Sequence, residues 1–143
     1  MVQIKAVLVA VDGSPNSDRA VQHALEMVAG GLATDIHFLN VQPNLRGAIT
    51  SFVNREQIDS YQREEGTEAL ASAVALAKKA AVAAVVHIGV GRQGEVVRDF
   101  VKKLGAKMVV MGTRGHTGLS GVLLGSVAQD VIAHVDIPVT LVK

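Results

Sequence analysis

The chain has 143 residues, with 14 Lys or Arg against 13 Asp or Glu, no Cys, one Tyr and three Phe. This length suits one domain with a real hydrophobic core. The absence of Cys excludes a disulfide scaffold, thiolate metal ligands and thiol catalysis. The balanced charge lacks the basic footprint of duplex binding, and the scarce aromatics argue against base-stacking platforms. We therefore expect no nucleic-acid partner.

The N-terminus shows no targeting segment. Residues 1–11 lack a charged region followed by a long apolar run and a cleavage site. The apolar stretch there has the length of a strand and ends at Asp12. No window of about 18 residues is apolar and free of charge, as a membrane-spanning helix would require. We expect a cytoplasmic protein with no membrane insertion.

The first strand and helix are marked by an apolar run and a turn. Residues 4–11 are apolar except for Lys5, which predicts a buried strand. Ser14 can cap the free N–H groups of a helix, and Pro15 suits its first position. Two glycines at residues 30–31 end this helix, because glycine tolerates the left-handed conformation found there.

The middle of the chain predicts a strand, an irregular segment and a long helix. The strand covers residues 35–41, and residues 42–53 have mixed polarity with Pro43 and Gly47. The helix covers residues 54–81. It opens with Asn54 and Gln57 at the spacing of a capping box, and its Ala-rich second half has high helix propensity.

The remaining chain continues the alternation of strands and helices. The sequence predicts a strand within residues 82–90, a helix over 95–104, a strand over 108–111, a helix over 126–135 and a strand over 138–142. Strict alternation of this kind indicates parallel strands joined by right-handed crossovers. We predict a single α/β domain over residues 1–143, doubly wound, with helices on both faces of the sheet.

Ligands of such sheets bind beyond the carboxyl ends of the strands. At this edge of the sheet, the first strand is followed by Asp12, and the fourth strand is followed by residues 112–125, which include five glycines. Glycines let backbone N–H groups approach a ligand, and the helix that follows adds N–H donors and partial positive charge. With Arg114 and Ser126, this segment predicts a phosphate site. The segment could instead be an ordinary surface loop, and Asp12 a turn residue instead of a ribose or metal ligand.

A second glycine motif, Gly89-Val90-Gly91-Arg92-Gln93-Gly94, matches the dinucleotide-binding pattern G-x-G-x-x-G. That fingerprint opens the first strand–helix unit and is followed by a ribose-binding acid at the end of the next strand. The next strand here ends without an acid, in residues 109–112. We therefore expect no nicotinamide cofactor.

The glycine-rich loop carries a resemblance to a known family. Gly112, Gly115 and the pair Gly125-Ser126 fit the spacing G-x2-G-x9-G-[ST], which resembles the ATP-binding signature of the universal stress protein family. Further similarity covers essentially the whole chain, at Val9-Ala10-Val11-Asp12-Gly13-Ser14, Leu39-Asn40-Val41 and Ile137-Pro138-Val139.

The resemblance implies a five-stranded parallel sheet in the order 3-2-1-4-5, and with it an ATP site. Adenine would lie against Ala10 and Val41, whose backbone would read the base edge. Asp12 would lie near the ribose and phosphates, with Mg²⁺ or Mn²⁺ as a possible companion ion. The phosphates would be held by four loop residues: Gly112, Gly115, Gly125 and Ser126. Met111 and Val127 would lie beside them, and Arg114 is placed to help.

The family resemblance also implies a function and an assembly. It implies an ATP-binding regulatory protein of the stress response, with an unidentified protein partner and a homodimer formed through the last strand, Pro138 to Val142. A dedicated catalytic activity is not expected, although slow ATP hydrolysis or self-phosphorylation on Thr113, Thr117 or Ser120 stays open.

Two different functions are compatible with the same fold. One is an interaction module that binds no nucleotide. The second is an enzyme that uses ATP to adenylate a substrate, and such enzymes need a glycine-rich motif after the first strand. Residues 12–17 do not supply that motif.

Overall fold

The computed structural model describes residues 4–45, 54–115 and 124–143. Five strands alternate with four helices along this part of the chain, as the sequence predicts. They are β1 (Ile4–Ala10), α1 (Pro15–Ala29), β2 (Ala33–Gln42), α2 (Arg55–Lys79), β3 (Ala84–Val90), α3 (Gln93–Leu104), β4 (Met108–Gly112), α4 (Ser126–His134) and β5 (Val139–Val142).

The strands form one sheet in which every described pairing is parallel, in the order β3-β2-β1-β4-β5. This confirms the predicted fold class and strand order. The chain first builds outward from β1 through β2 to β3, and then returns to add β4 on the other side of β1. The direction of winding therefore reverses between β1 and β4, which is where open α/β sheets leave a crevice for ligands.

Each face of the sheet carries its own apolar core. Alternate residues of β1 point to opposite faces, so that Val7 and Val9 pack with α1 and α2, whereas Leu8 packs with α3 and α4. Phe38 is fully buried in the first core and Val97 in the second. Helices thus cover both faces, as expected. In the described part of the chain, no helix is both long and apolar enough to cross a bilayer.

Local signals set most helix ends as predicted. The Ser14 hydroxyl accepts a hydrogen bond from the Ser17 N–H at 3.2 Å at the start of α1. Asn54 and Gln57 form the capping box of α2, with bonds of 2.9 and 3.0 Å. The chain after α1 turns through Gly31, whose φ of +78° is the left-handed conformation that favours glycine.

The element boundaries that differ from the predicted ones do so by one or two residues. β2 continues through Gln42, predicted as irregular, because its carbonyl accepts the Gly91 N–H at 2.9 Å. α2 ends at Lys79, just before Ala81 turns with a φ of 56°, since evenly spread alanines give no stop signal. α3 begins at Gln93, not at residue 95. The rest of the predicted irregular segment, residues 46–53, lies outside the described residues.

Two histidines meet on the α3 side of the sheet. His37 Nδ1 and His87 Nε2 are 3.0 Å apart, and the ring centroids are only 5.2 Å apart with planes 27° from parallel. The rings therefore share a hydrogen bond, which requires at least one neutral imidazole. Burial, His37 and the Lys103 ammonium lower the pKa of His87 below 6.5, in that order of importance.

Candidate functional site

A cleft of about 440 Å³ opens at the carboxyl ends of β1, β2 and β4. Its volume falls within the ordinary range of small-molecule sites. All ten residues singled out from the sequence line it: Ala10, Asp12, Val41, Met111, Gly112, Arg114, Gly115, Gly125, Ser126 and Val127. The fold thus brings together segments that are more than a hundred residues apart in the chain.

Asp12 serves the turn after β1 and also faces the cleft. Its Oδ1 accepts the Ser14 N–H at 2.9 Å, and its own N–H donates to the Ser17 hydroxyl at 3.1 Å. Its Oδ2 lies 2.9 Å from where a Cβ on Gly115 would sit, so the carboxylate reaches the glycine-rich loop. Among the described residues, no three His, Asp or Glu side chains converge as metal ligands. A cation here would take most of its ligands from elsewhere.

Gly112 at the end of β4 is required by packing. A Cβ there would overlap the buried side chain of Asn16, whose Oδ1 would be 2.4 Å away. Asn16 Nδ2 donates to the Val142 carbonyl at 2.9 Å, and its Oδ1 accepts the Arg114 N–H at 2.7 Å. Asn16 therefore fixes the start of the loop to α1 and β5. Sequence analysis missed it, because its partners are 98 and 126 residues away.

The two halves of the glycine signature close on each other in space. The Gly125 N–H donates to the Thr113 carbonyl at 2.7 Å. A Cβ on Gly125 would lie 3.2 Å from that same oxygen, so a glycine allows α4 to start directly beside the end of β4. The hydroxyl-bearing Thr113 is buried. The candidate phosphorylation sites Thr117 and Ser120 lie outside the described residues.

The N-terminus of α4 differs from those of the other helices. Side chains cap α1 and α2, and the Asp130 carboxylate accepts the Gly94 N–H in the first turn of α3 at 2.7 Å. The α4 N-cap, Gly125, offers no such bond, and the first turn of α4 holds no acid, unlike those of the other three helices. The residues that start this helix, 125–129, line the cleft, and the exposed Arg114 stands beside them. No described side chain caps this helix start, and backbone N–H donors at a helix N-terminus, together with the helix dipole, have the chemistry that suits an anion.

The β2 side of the cleft holds two carboxamides that the sequence analysis did not assign to the site. Asn40 is buried, donates to the Val11 carbonyl at 2.8 Å and accepts from Gln42 at 2.7 Å, so it ties β2 to the end of β1. Gln93 starts α3 and donates to the Val41 carbonyl at 3.3 Å. The sequence held one indication of Gln93, because it lies in the Gly89–Gly94 motif, directly after a strand end.

This architecture defines a doubly wound α/β protein with a cleft at the switch point and, in the cleft wall, a helix N-terminus that no described side chain caps. The model of the universal stress protein family matches residues 3–143. The chain therefore belongs to the universal stress protein family, as its glycine loop suggests.

Curated relatives agree with this assignment. The chain is 33% identical to universal stress protein MJ0531 of Methanocaldococcus jannaschii over 97% of its own length and 82% of that protein. It is 32% identical to universal stress protein Sll1388 of Synechocystis, covering 96% of both chains. Family membership thus extends over nearly the whole chain.

Solved structures share the fold. Protein MJ0577, whose biochemical function was assigned from its structure, superposes with a TM-score of 0.83 at 24% identity, covering 99% of this chain and 97% of that one. A universal stress protein was solved with cAMP, one from Archaeoglobus fulgidus with dAMP, and one from Arabidopsis thaliana with AMP. These three superpose with TM-scores of 0.72, 0.70 and 0.66 at 22–23% identity, and cover 97–100% of this chain and 91–100% of their own.

Proposed function

We propose that this chain binds ATP in the cleft between β1 and β4 and acts as a nucleotide-dependent regulatory protein of the stress response. The observation that carries the proposal is the N-terminus of α4 in the wall of the cleft at the switch point, which has no acid in its first turn and no cap from a described side chain. Three of the four helices have their first N–H groups bonded by described side chains. The first N–H groups of the fourth helix, α4, lie where a ligand of this fold class binds, and no described side chain caps them.

The phosphate chain would occupy the β4 side of the cleft. The N–H groups at the start of α4 would bind phosphate oxygens, the Ser126 hydroxyl would donate to one, and Arg114 would supply a cation. Gly115 supports this, because among the described residues only the Asp12 carboxylate lies within 4 Å of where a Cβ would sit, and a side chain there would crowd this wall of the cleft. Gly112 and Gly125 would act by holding the loop in place, since both meet protein atoms closely.

The base would occupy the β2 side, against the apolar side chains of Ala10, Val41 and Met111, all on the cleft wall. Family membership and the adenine nucleotides bound to three structural neighbours support an adenine base. The chain has no Trp. We infer that aliphatic contacts and backbone hydrogen bonds at Val41 hold the base.

A divalent cation would accompany the phosphates. The Asp12 carboxylate lies on the cleft wall close to Gly115, so it would repel a bare triphosphate. Mg²⁺ commonly binds through one or two carboxylates together with substrate phosphates and waters. We propose that Asp12 and the nucleotide hold Mg²⁺ or Mn²⁺ jointly, and that the ion neutralises their mutual repulsion.

The experiment starts from purified protein that is denatured so that any bound nucleotide is released and identified by mass. Emptied and refolded protein is then titrated with ATP in the presence and absence of Mg²⁺. We expect ATP in the released fraction or saturable ATP binding that Mg²⁺ strengthens. An empty protein that binds no adenine nucleotide would contradict the proposal and favour an interaction module of this fold.

We also propose a homodimer through β5, whose described residues run from Val139 to Val142, one residue shorter than predicted. The carbonyls of Pro138 and Val142 accept N–H groups of the β4 segment. By the alternation of a strand, the backbone groups of Leu141 point to the open edge. Leu141 is itself 36% exposed. An apolar edge of this kind pairs readily with a second copy.

Light scattering tests this assembly. We expect the wild-type chain, 14.9 kDa as a monomer, to run at twice that mass. Leu141→Pro removes an outward N–H and leaves the bonds to β4 in place, so we expect this variant to run as a monomer. A wild-type monomer at micromolar concentration would contradict the proposed dimer.

A further inference from the structure

Gln93 lies at the base end of the cleft. It is the first residue of α3, is half-buried and lines the cleft. Its Nε2 donates to the Val41 carbonyl at 3.3 Å. The backbone on which it stands is fixed, because the Asp130 carboxylate of α4 accepts the next N–H, that of Gly94, at 2.7 Å. A carboxamide is thus held over the backbone group proposed to read the base.

The sheet order separates this residue from the phosphate end. Val41 lies at the end of β2 and Gly112 ends β4, with β1 between them. Neighbouring strands are about 4.8 Å apart, so the two ends of the cleft are separated by roughly 10 Å. Gln93 is hydrogen-bonded at the β2 end, whereas the phosphates are proposed at the β4 end beside Ser126. Because the base is proposed to lie against Val41, it is the part of a bound nucleotide that we expect the Gln93 carboxamide to meet.

Two other carboxamides line the same cleft, and neither is placed to read a base. Asn40 is buried, with its Nδ2 bonded to the Val11 carbonyl at 2.8 Å and its Oδ1 bonded to Gln42 at 2.7 Å. Gln129 is exposed on α4, at the phosphate side, and donates to the Leu124 carbonyl at 2.9 Å. The Gln93 bond to Val41 is the longest of these, near the limit of a hydrogen bond, and exchanges most easily for a ligand.

We infer that Gln93 determines base specificity in this cleft by forming a paired contact with N6 and N7 of adenine. This inference rests on the proposed nucleotide binding. A glutamine amide offers one acceptor and two donors, which match the adenine N6 donor and N7 acceptor. Guanine presents two acceptors, O6 and N7, so the Gln93 carbonyl oxygen would face another oxygen. Gln93 therefore favours adenine over guanine nucleotides.

The experiment compares Gln93→Met with Gln129→Met, a matched control in the same cleft. Methionine keeps the length of the side chain and removes its hydrogen-bonding groups. Dissociation constants for ATP and GTP, both with Mg²⁺, are measured for the wild type and both variants. We expect Gln93→Met to weaken ATP roughly 10-fold with little change for GTP. Gln129→Met should preserve the ATP-to-GTP ratio.

An analogue of ATP with carbon in place of N7 tests the same contact in the unaltered protein. We expect the wild type to bind it several-fold more weakly than ATP, and Gln93→Met to bind the two alike. Equal affinities in the wild type, or an unchanged ATP-to-GTP ratio in Gln93→Met, would overturn the role of Gln93 and leave nucleotide binding intact. A wild type that binds neither ATP nor GTP would overturn the proposed function and this inference with it.

Discussion

Two glycine-rich segments in this chain each follow a strand and lead into a helix, but their glycines have different surroundings. In the first, residues 89–94, the space at the glycines is taken by other parts of the protein. A Cβ on Gly89 would lie 2.5 Å from a methyl of Val96 on α3, and one on Gly94 would lie 2.5 Å from the Asp130 carbonyl on α4. These glycines let α3 pack closely against the sheet and against α4, and their match to a dinucleotide motif follows from that packing.

In the second segment, residues 112–126, the glycines that the structure describes are of two kinds. Gly112 is required by contact with Asn16, as Gly94 is by contact with α4. Gly115 instead borders the cleft, where a Cβ would meet only the Asp12 carboxylate within 4 Å among the residues described. The comparison teaches that glycine spacing by itself does not separate a packing site from a ligand site. What separates them is whether a Cβ would meet closely packed protein, as at Gly94, or, among the described residues, only a side chain on the cleft wall, as at Gly115.

The largest expected effect comes from the glycine that faces the cleft. We expect Gly115→Val to weaken ATP binding about 100-fold, because the side chain would displace Asp12 and occupy the space proposed for the phosphates. The free energy of unfolding should change by less than about 0.5 kcal/mol, as for other substitutions away from the core. Calorimetric titration and urea unfolding measure the two quantities. Unchanged ATP affinity would remove Gly115 from the site.

In the first segment, residues 89–94, we expect a smaller effect, and we expect it on the stability of the fold more than on ATP binding. Gly94→Ala should lower the free energy of unfolding by about 1–3 kcal/mol, since the added methyl overlaps the Asp130 backbone and His134. The folded protein should lose less ATP affinity than Gly115→Val does. Urea unfolding of Gly94→Ala beside Gly115→Ala makes the comparison with equal side chains. A Gly94→Ala variant that stays fully stable but no longer binds ATP would reverse the assignment of the two segments.

The smallest expected effect concerns the histidine pair of β2 and β3. The pKa of His87 is lowered in the folded protein, so the unfolded chain binds more protons as the pH falls below 6.5. Stability should therefore decline with falling pH through that range. We expect His87→Gln to reduce the drop in melting temperature between pH 7.5 and 5.5 by a few degrees. His23→Gln, at an exposed position on α1, serves as control. An equal drop in both variants would contradict a role for His87.

Much of the fold follows from short-range patterns. Apolar runs of strand length and caps such as Ser14 and Asn54 were sufficient for the element order, because each depends on neighbours within a few residues. Boundaries that depend on distant partners were placed wrongly. The start of α3 is an example. Its N-cap residue, Arg92, makes no capping bond, and the Gly94 N–H is bonded instead by the Asp130 carboxylate on α4.

The residues of the candidate site likewise include some that local patterns predicted and others that depend on distant partners. Its glycine loop and Asp12 were predicted from the sequence, since a strand end followed by turn residues has a local pattern. The strand order came from the family resemblance, and the structure confirms it. Asn16, Asn40 and Gln93 could not be assigned to the site, because their partners lie 29 to 126 residues away.

The sequence by itself determined the alternation of strands and helices and the residues delivered to the carboxyl end of the sheet. Those properties depend on periodicity, caps and turns, which act over one or two turns of chain. Only the tertiary structure decided which of the described glycines pack against protein atoms and which border the cleft, and that Gln93 lies beside the Val41 carbonyl. The physical reason is that close packing and cleft formation depend on atoms brought together from opposite ends of the chain.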